Sequence, residues 1–499
     1  MAHKRRISDH TKYRLLEIIP GALVWGTLIL AVVFSFAKPL WVIYFIIVFD
    51  FYWLVKVMYL LFYLFVSFSR YRGTIKVDWL KKIQNLPEYK KIHHVVMLPT
   101  YNESGVVING TLEGLARVKY DRKKIIIVYA IEERNKEYSL PLAEKMQHKY
   151  RDLFEKFLIT VHPANIPGEV KGKGANIHHA GKETQKLLDE MGLDYKNVIL
   201  SSFDIDTVVH PQYFAYLTDI FIHHPNRLRT SYQPVPLFNN NMWDAPAIMR
   251  IASMGTTFWL MSEQLRPERL FTFSSHSMSF QSLVDVGFHQ NDIVTEDSRI
   301  FLQCFLRYDG DYTVTPLYMP ISMDTVMSEK WWESLKNLYK QQRRWAWGVE
   351  HFPYMVWNFS KNKKIPLKKK IHYVWNVIEG IYSWATAPII ITLLGRLPLW
   401  LISEEQKRLA IVQNAPFILS TLMNVALIGL IFGSVLALFL LPPAPSKKHR
   451  LKWPVMILQW VLFPVSMILF GSVPAIDAQT RLMLGKYLGF HITEKARKS

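Results

Sequence analysis

Five apolar stretches, roughly residues 15–37, 40–67, 373–400, 413–441 and 455–473, constrain this chain more than anything else in it. Each reaches or approaches the roughly 20 residues that a helix needs to cross a hydrocarbon layer. An integral membrane protein is expected, with a water-soluble unit in the long segment between the second and third stretches. The first stretch follows Lys4-Arg5-Arg6 without a small-residue cleavage site, which predicts a retained anchor. Only Phe36-Ala-Lys-Pro39 separates the first two, so a tight hairpin should return the chain to the cytoplasm near Arg70-Tyr-Arg72. The basic loop 442–454 belongs on the same side. Five full crossings would put the C-terminal tail on the opposite face. The stretch 455–473, with Pro464 at its middle, is therefore expected to re-enter or to lie at the interface.

The formal net charge is +20, carried mostly outside these stretches. Lysine and arginine at span ends mark the cytoplasmic face and are attracted by anionic lipid, so the bilayer accounts for the excess and no nucleic acid is expected as a partner. Cys304 is the sole cysteine, which excludes an intramolecular disulfide and fits a reducing compartment.

The soluble segment opens with short β-rich runs at 92–98, 125–131, 156–161 and 197–203, alternating with helical patterns at 104–118, 139–151 and 174–191. That alternation predicts an α/β fold whose mostly parallel sheet has helices on both faces. In such sheets ligands bind beyond the carboxyl ends of the strands. The fourth run ends in Asp204 and Asp206, and a turn there could aim both carboxylates into one crevice. Hard oxygen ligands of this kind suit Mg²⁺ or Mn²⁺, although a lone Asp-x-Asp is more often a solvated turn.

Other clusters sit at similar places. The first run leads into Pro99-Thr-Tyr-Asn-Glu103, which equally reads as a helix start capped by Asn102 or Ser104. The second ends in Glu132-Glu133-Arg134, suited to a base or ribose, or to solvent. Gly168-Glu-Val-Lys-Gly-Lys-Gly-Ala-Asn176 is Gly-rich and doubly basic without matching a phosphate-loop spacing. Thr295-Glu-Asp297 opens a helical pattern, where Thr295 could cap and acids in the first turn are favourable in any case. Trp331-Trp332 begins a helix reaching Gln341-Gln-Arg-Arg-Trp345, a pattern fit for a membrane interface. The paired histidines 93–94, 178–179 and 223–224 lack a metal-ligand spacing.

Taken in order, Asp204-x-Asp206, Thr295-Glu296-Asp297 and Gln341-x-x-Arg344-Trp345, set between flanking membrane stretches, resemble the membrane-embedded glycosyltransferases of family 2. That group contains cellulose, chitin and hyaluronan synthases and ceramide glucosyltransferase. The resemblance covers about residues 92–350. It implies a nucleotide-sugar-binding, GT-A-like α/β domain with a mostly parallel sheet flanked by transmembrane helices. It also implies a nucleotide-sugar donor, a UDP-sugar being the first expectation, Mg²⁺ or Mn²⁺ at Asp206 and Asp204, and inversion at the anomeric carbon. By the same resemblance Thr100, Tyr101 and Glu103 hold the base, and Lys171, five residues before Asn176, lies near the diphosphate. Gln341 and Arg344 grip that diphosphate and Trp345 stacks on the acceptor sugar. Phe490-His-Ile-Thr493-Glu-Lys495 resembles a cellulose-synthase gating loop, with Ile492 in place of valine. Glu132 and Glu133 stand where the family usually has an aspartate for the base.

A sugar hydroxyl needs a carboxylate to take its proton, a contribution of about 10²–10⁴-fold. Asp297 is the expected base, with Glu296 beside it, and Asp206 the principal metal ligand. The expected organisation is a basic N-terminus with two transmembrane helices (1–69), a cytoplasmic glycosyltransferase domain (70–330), amphipathic interface helices (331–372), a C-terminal membrane region (373–476) and a cytoplasmic gating-like tail (477–499). The expected activity is metal-dependent, inverting sugar transfer to a growing polysaccharide at the plasma membrane. The alternatives are a single transfer onto a lipid acceptor and a non-catalytic nucleotide-binding transporter or scaffold.

Overall fold

In the computed structural model, residues 8–444, 446 and 452–489 are described. The chain divides into two compact units. One comprises the chain up to Tyr63, Leu338–Lys363 and Leu367–Leu488; the other is built on Leu64–Asn337 with Lys364–Pro366.

The second unit is mixed α/β around an eight-stranded sheet. In chain order the strands are β1 (His93–Pro99), β2 (Ile125–Glu132), β3 (Lys156–His162), β4 (Val198–Ser202), β5 (Val208–Val209), β6 (Thr230–Leu237), β7 (His276–Ser279) and β8 (Thr313–Ser322). They lie side by side as β3-β2-β1-β4-β7-β6-β8-β5. The first four are mutually parallel, with Val95 opposite Ile126 and Met97 opposite Ser202, and only β7 and β5 run against the rest. A sheet covered on both faces needs strands apolar on both faces, and β2, Ile-Ile-Ile-Val-Tyr-Ala-Ile-Glu, is buried at every position. The expected α/β architecture with a mostly parallel sheet is what forms. Between β1 and β4 the strand order reverses, which opens a crevice beyond their carboxyl ends.

Among the described residues, five helices are long and apolar enough to cross a membrane: Asp9–Ala37, Pro39–Thr74, Leu367–Leu401, Ala410–Phe439 and Trp453–Met483. Lys38 alone separates the first two. Pro39 starts the second at a position where its missing N–H costs nothing. The stretch 455–473, expected to re-enter or lie flat, is part of helix Trp453–Met483, which has the length to cross. It loosens into a 3-10 turn at Gln459–Leu462 and a π turn at Ile468–Ser472, on either side of Pro464, which has no N–H to give the helix ladder. Polar side chains in the first unit pair with one another. Glu379 takes hydrogen bonds from Tyr52 (2.8 Å) and Ser383 (2.9 Å) and is ion-paired with Lys56. Asp477 accepts from Tyr339 (3.1 Å), Arg343 (2.9 Å) and Arg481 (2.7 Å). Residues 477–483, expected to begin the tail, therefore complete this last helix.

Candidate functional site

The loop after β1 is fixed by the backbone before any side chain reaches solvent. Thr100 N–H donates to the Ala130 carbonyl of β2 (2.8 Å), and Tyr101 N–H to the Glu103 carboxylate (2.8 Å). Ser104 then caps helix Gly105–Ala116 by accepting from Val107 N–H. Glu103 is thus turned back on its own loop. Glu132, at the end of β2, accepts from Arg134 Nε (2.9 Å), and the Arg134 guanidinium lies over the Tyr101 ring at 5.2 Å. Glu133 accepts from the Ala164 N–H (2.7 Å). Glu132, Arg134, His162, Glu169 and Lys171 line a small cleft beyond β2 and β3. The donor-binding residues expected from 100 to 133 therefore meet around one end of the sheet, with their carboxylates already engaged.

Next to that cleft lies an acidic cluster centred on a lysine. Helix Lys173–Glu190 starts at Gly172, whose φ of 148° is accessible only to glycine. Gly174 follows, and a Cβ there would stand 3.2 Å from the Gln290 carbonyl and 3.3 Å from that of Ile293. Because no Cβ intervenes, the loop before helix Glu296–Arg307 lies against the first turn of the helix carrying Lys173. The Lys173 ammonium consequently bonds Asp204 Oδ1 (2.7 Å) and both oxygens of Asp297 (2.7 and 2.9 Å), with Glu296 at 3.8 Å. Its side chain is 10% exposed, against 25% for Asp204 and 21% for Asp297. Burial works against the charged amine, but Asp204, Asp297 and Glu296 outweigh it and hold Lys173 above the ordinary lysine range. Thr295 occupies the N-cap position, but its side chain makes no capping bond.

The two aspartates of the Asp-x-Asp part company. A turn in which Thr207 N–H reaches the Asp204 carbonyl (2.9 Å) lies between them and the next strand. Asp204 faces Lys173, whereas Asp206 is 0% exposed and accepts from the Asp324 N–H (2.7 Å). Asn240 ties the Asp206 carbonyl (3.0 Å) to the Asp324 side chain (2.9 Å). Among the described residues, no three His, Cys, Asp or Glu side chains stand together as a ready-made metal-binding group.

Three contributors escape a reading of the sequence. Lys173 is one; Lys171, singled out instead, is exposed on the cleft wall. The others are His276 and His289, both buried, with ring centroids 6.2 Å apart. Burial holds both imidazoles neutral, although the Asp297 and Asp204 charges pull His276 the other way. Gly174 was the available clue to Lys173, and the polar run Ser274–Ser279 the clue to His276. Gln341 is buried, and Arg344 and Trp345 half-buried, on the part of helix Trp331–Ala346 that belongs to the first unit. Phe490, Thr493 and Lys495 lie outside the described residues.

No family model and no curated protein matches this chain. Among solved structures it is similar to the mannosyltransferase PcManGT from Pyrobaculum calidifontis in complex with GDP-Man and Mn²⁺, with 14% identity, 81% of this chain and 98% of that one covered, and a TM-score of 0.40. It is also similar to S. aureus TarS 1–349 in complex with UDP, at 12% identity, 81% and 95% coverage and a TM-score of 0.36. The complex of TarS 1–349 with UDP-GlcNAc gives 12%, 67% and 90%, and 0.31. At these scores the likeness assigns no residue and no substrate.

Proposed function

We propose that this chain is a membrane-embedded glycosyltransferase that moves a sugar from a nucleotide-sugar donor, with inversion, onto a growing polysaccharide. The observation that carries the reading is the Lys173 bridge, which brings Asp297 to Asp204 at the crevice where the strand order reverses. A transferase of this kind needs a carboxylate for the acceptor hydroxyl and a cation for the departing diphosphate, held side by side. Asp297 is the base: it takes the hydroxyl proton as the oxygen attacks the anomeric carbon. Lys173 orients Asp297 through contacts to both its oxygens, and Glu296 adds to the negative field that retains the ammonium.

The donor chemistry of the site fits a hard divalent cation. Asp204, Glu296 and Asp297 are hard oxygen donors, but they are gathered around the Lys173 ammonium and do not form a metal-binding group by themselves, so an ion would need the donor's phosphate oxygens as further ligands. Asp206, expected as the principal metal ligand, is buried and already accepts from the Asp324 N–H, so Asp204, the more exposed of the two, would meet the ion, and the ion would neutralise charge on the departing diphosphate. Tyr101, Arg134 and Glu132 make an aromatic, charged wall suited to the base, and Lys171 stands on the cleft wall beside them. The resemblance of Phe490–Lys495 to a gating loop favours a polymer over a single lipid-linked sugar. The Lys/Arg-rich flanks of the apolar stretches support a cytoplasmic catalytic unit, with the plasma membrane as the proposed location.

The test is Asp297→Asn. Asparagine preserves shape, so donor affinity should stay within a few fold while initial transfer rate falls by at least about 10²-fold. Weak donor binding, or an unchanged rate, overturns the assignment; sizing the product of the parent protein separates polymer from single transfer.

A further inference from the structure

Between Glu350 and Glu379 the chain carries six lysines and no acid, at 361, 363, 364, 368, 369 and 370. Lys364 is paired with Asp309 (3.1 Å). Lys370 shapes the turn, its ammonium donating to the carbonyls of Phe359 (2.7 Å) and Asn362. Lys361 ends helix His351–Lys361 with its amine 4.0 Å from the centre of the Trp357 ring. Lys363, Lys368 and Lys369 are exposed.

The same segment begins a membrane-length helix, and its outward stripe is apolar: Leu367 is 70% exposed, Ile371 60% and Trp375 65%. These fall at i, i+4 and i+8, one above the other on a single face. An exposed apolar stripe that starts in the same turn as a dense positive cluster matches the boundary between acyl chains and headgroups. Three lysines in a first helical turn also oppose the helix dipole, with no acid there to offset them.

We infer that the turn 361–370 is a docking surface for anionic lipid headgroups, seated where Leu367, Ile371 and Trp375 enter the acyl region. Lys363, Lys368 and Lys369 contact the lipid phosphates, and Lys370 holds the turn in shape. Free phosphate shares the headgroup's charge but not its acyl chains; the apolar stripe makes lipid the occupant. The inference does not depend on the sugar-transfer reading.

The experiment uses the full chain in nanodiscs. Cys304 is buried, so a fluorophore can be placed selectively on Ser360→Cys, at an exposed position next to Lys361. Quenching is compared between phosphatidylglycerol and phosphatidylcholine carrying a nitroxide at the headgroup. Each lysine near the surface is expected to enrich the anionic lipid about fivefold, the equivalent of ~1 kcal/mol. The parent should therefore prefer phosphatidylglycerol by at least that factor, and the preference should shrink as salt rises. Combined Lys363→Gln, Lys368→Gln and Lys369→Gln should bring the ratio close to one, while the three arginine substitutions keep it. A ratio near one in the parent, or one that the glutamines leave unchanged, overturns the inference. Loss of the preference in inorganic phosphate but not in chloride of equal ionic strength marks a small-anion site and overturns it too. If the glutamine variant does not fold, the salt titration of the parent and the arginine variant decide.

Discussion

Replacing Lys173 by glutamine removes the cation that holds three carboxylates together. Two charge-assisted contacts of 2.7 Å are lost, each worth about 1.5–3 kcal/mol. Removing one partner of a buried pair costs about 3–5 kcal/mol, because the other charge is left uncompensated. Asp204 and Asp297 are partly exposed, so the low end applies and a loss of about 3 kcal/mol is expected. For a unit of this size that lowers the melting midpoint by roughly 6–12 °C. A pH arm isolates the electrostatic cause. Lys173 is held above the ordinary lysine range, so its contribution is complete at neutral pH and is lost only as pH rises past the unfolded value near 10.5. In the variant the carboxylates face each other without a cation, and like charges raise one another's pKa. Acidification protonates one of them, so the stability gap between parent and variant should narrow below about pH 5. Intrinsic fluorescence during thermal unfolding of the full chain, from pH 4.5 to 8, reads both effects. A loss under about 0.5 kcal/mol, or a gap that stays constant with pH, refutes the reasoning, since an ordinary surface substitution does no more.

Gly174→Ala should displace the loop that carries Asp297: its Cβ would press on the Gln290 and Ile293 carbonyls, costing about 1–3 kcal/mol and reducing transfer more than donor binding. Unchanged stability and rate would show that the close approach is unnecessary. Asp206→Ala removes the acceptor of the Asp324 N–H, and a loss of about 1–3 kcal/mol is expected by chemical denaturation; a neutral result would mean that the loop re-pairs. His94, fully buried against Thr218 (2.8 Å), has its pKa pushed down to about 3 by burial first and by His93 and Lys124 next. Below about pH 6.5 the unfolded chain therefore binds a proton that the folded one refuses. Stability then falls by roughly 1.4 kcal/mol per pH unit toward pH 3. His94→Gln should make the acid limb shallower by that slope, and an identical slope would exclude His94 as its source.

The first four strands were legible because each is a buried apolar run in a parallel sheet: expected at 92–98, 125–131, 156–161 and 197–203, they form at 93–99, 125–132, 156–162 and 198–202. The later strands give no such sign. β6 contains Pro234 and Pro236, which in a strand between two neighbours would each delete a ladder bond. It is nevertheless buried throughout and paired on both sides, with its register shifting at Pro234/Val235 to accommodate the irregularity. β7, His-Ser-Met-Ser, is polar and still buried, because Ser277 bonds Ser201 (2.8 Å) and Tyr213 (3.1 Å). Asp204 and Asp297 were legible as acids at element ends. Their shared partner was not, because sequence spacing cannot say which of two lysines two positions apart meets a loop more than a hundred positions away. That is decided by a missing Cβ at Gly174.

The same geometry explains why the cleft and the cluster are separate. With Asp204, Glu296 and Asp297 ionised and Lys173 charged, the cluster carries a formal −2, which repels a nucleoside diphosphate. Arg134 and Lys171 stand on the neighbouring cleft wall, and of the two only Arg134 has a carboxylate partner among the described residues, Glu132. On the proposed reading this asymmetry orients the donor. Its phosphates are drawn to the basic wall, and its sugar, the uncharged part, is left to face the acids. Charge on the bridging oxygen grows only as the glycosidic bond breaks, so a cation held beside Asp204 would stabilise the transition state more than the bound donor. Such a difference between states would accelerate transfer; equal binding of both would not.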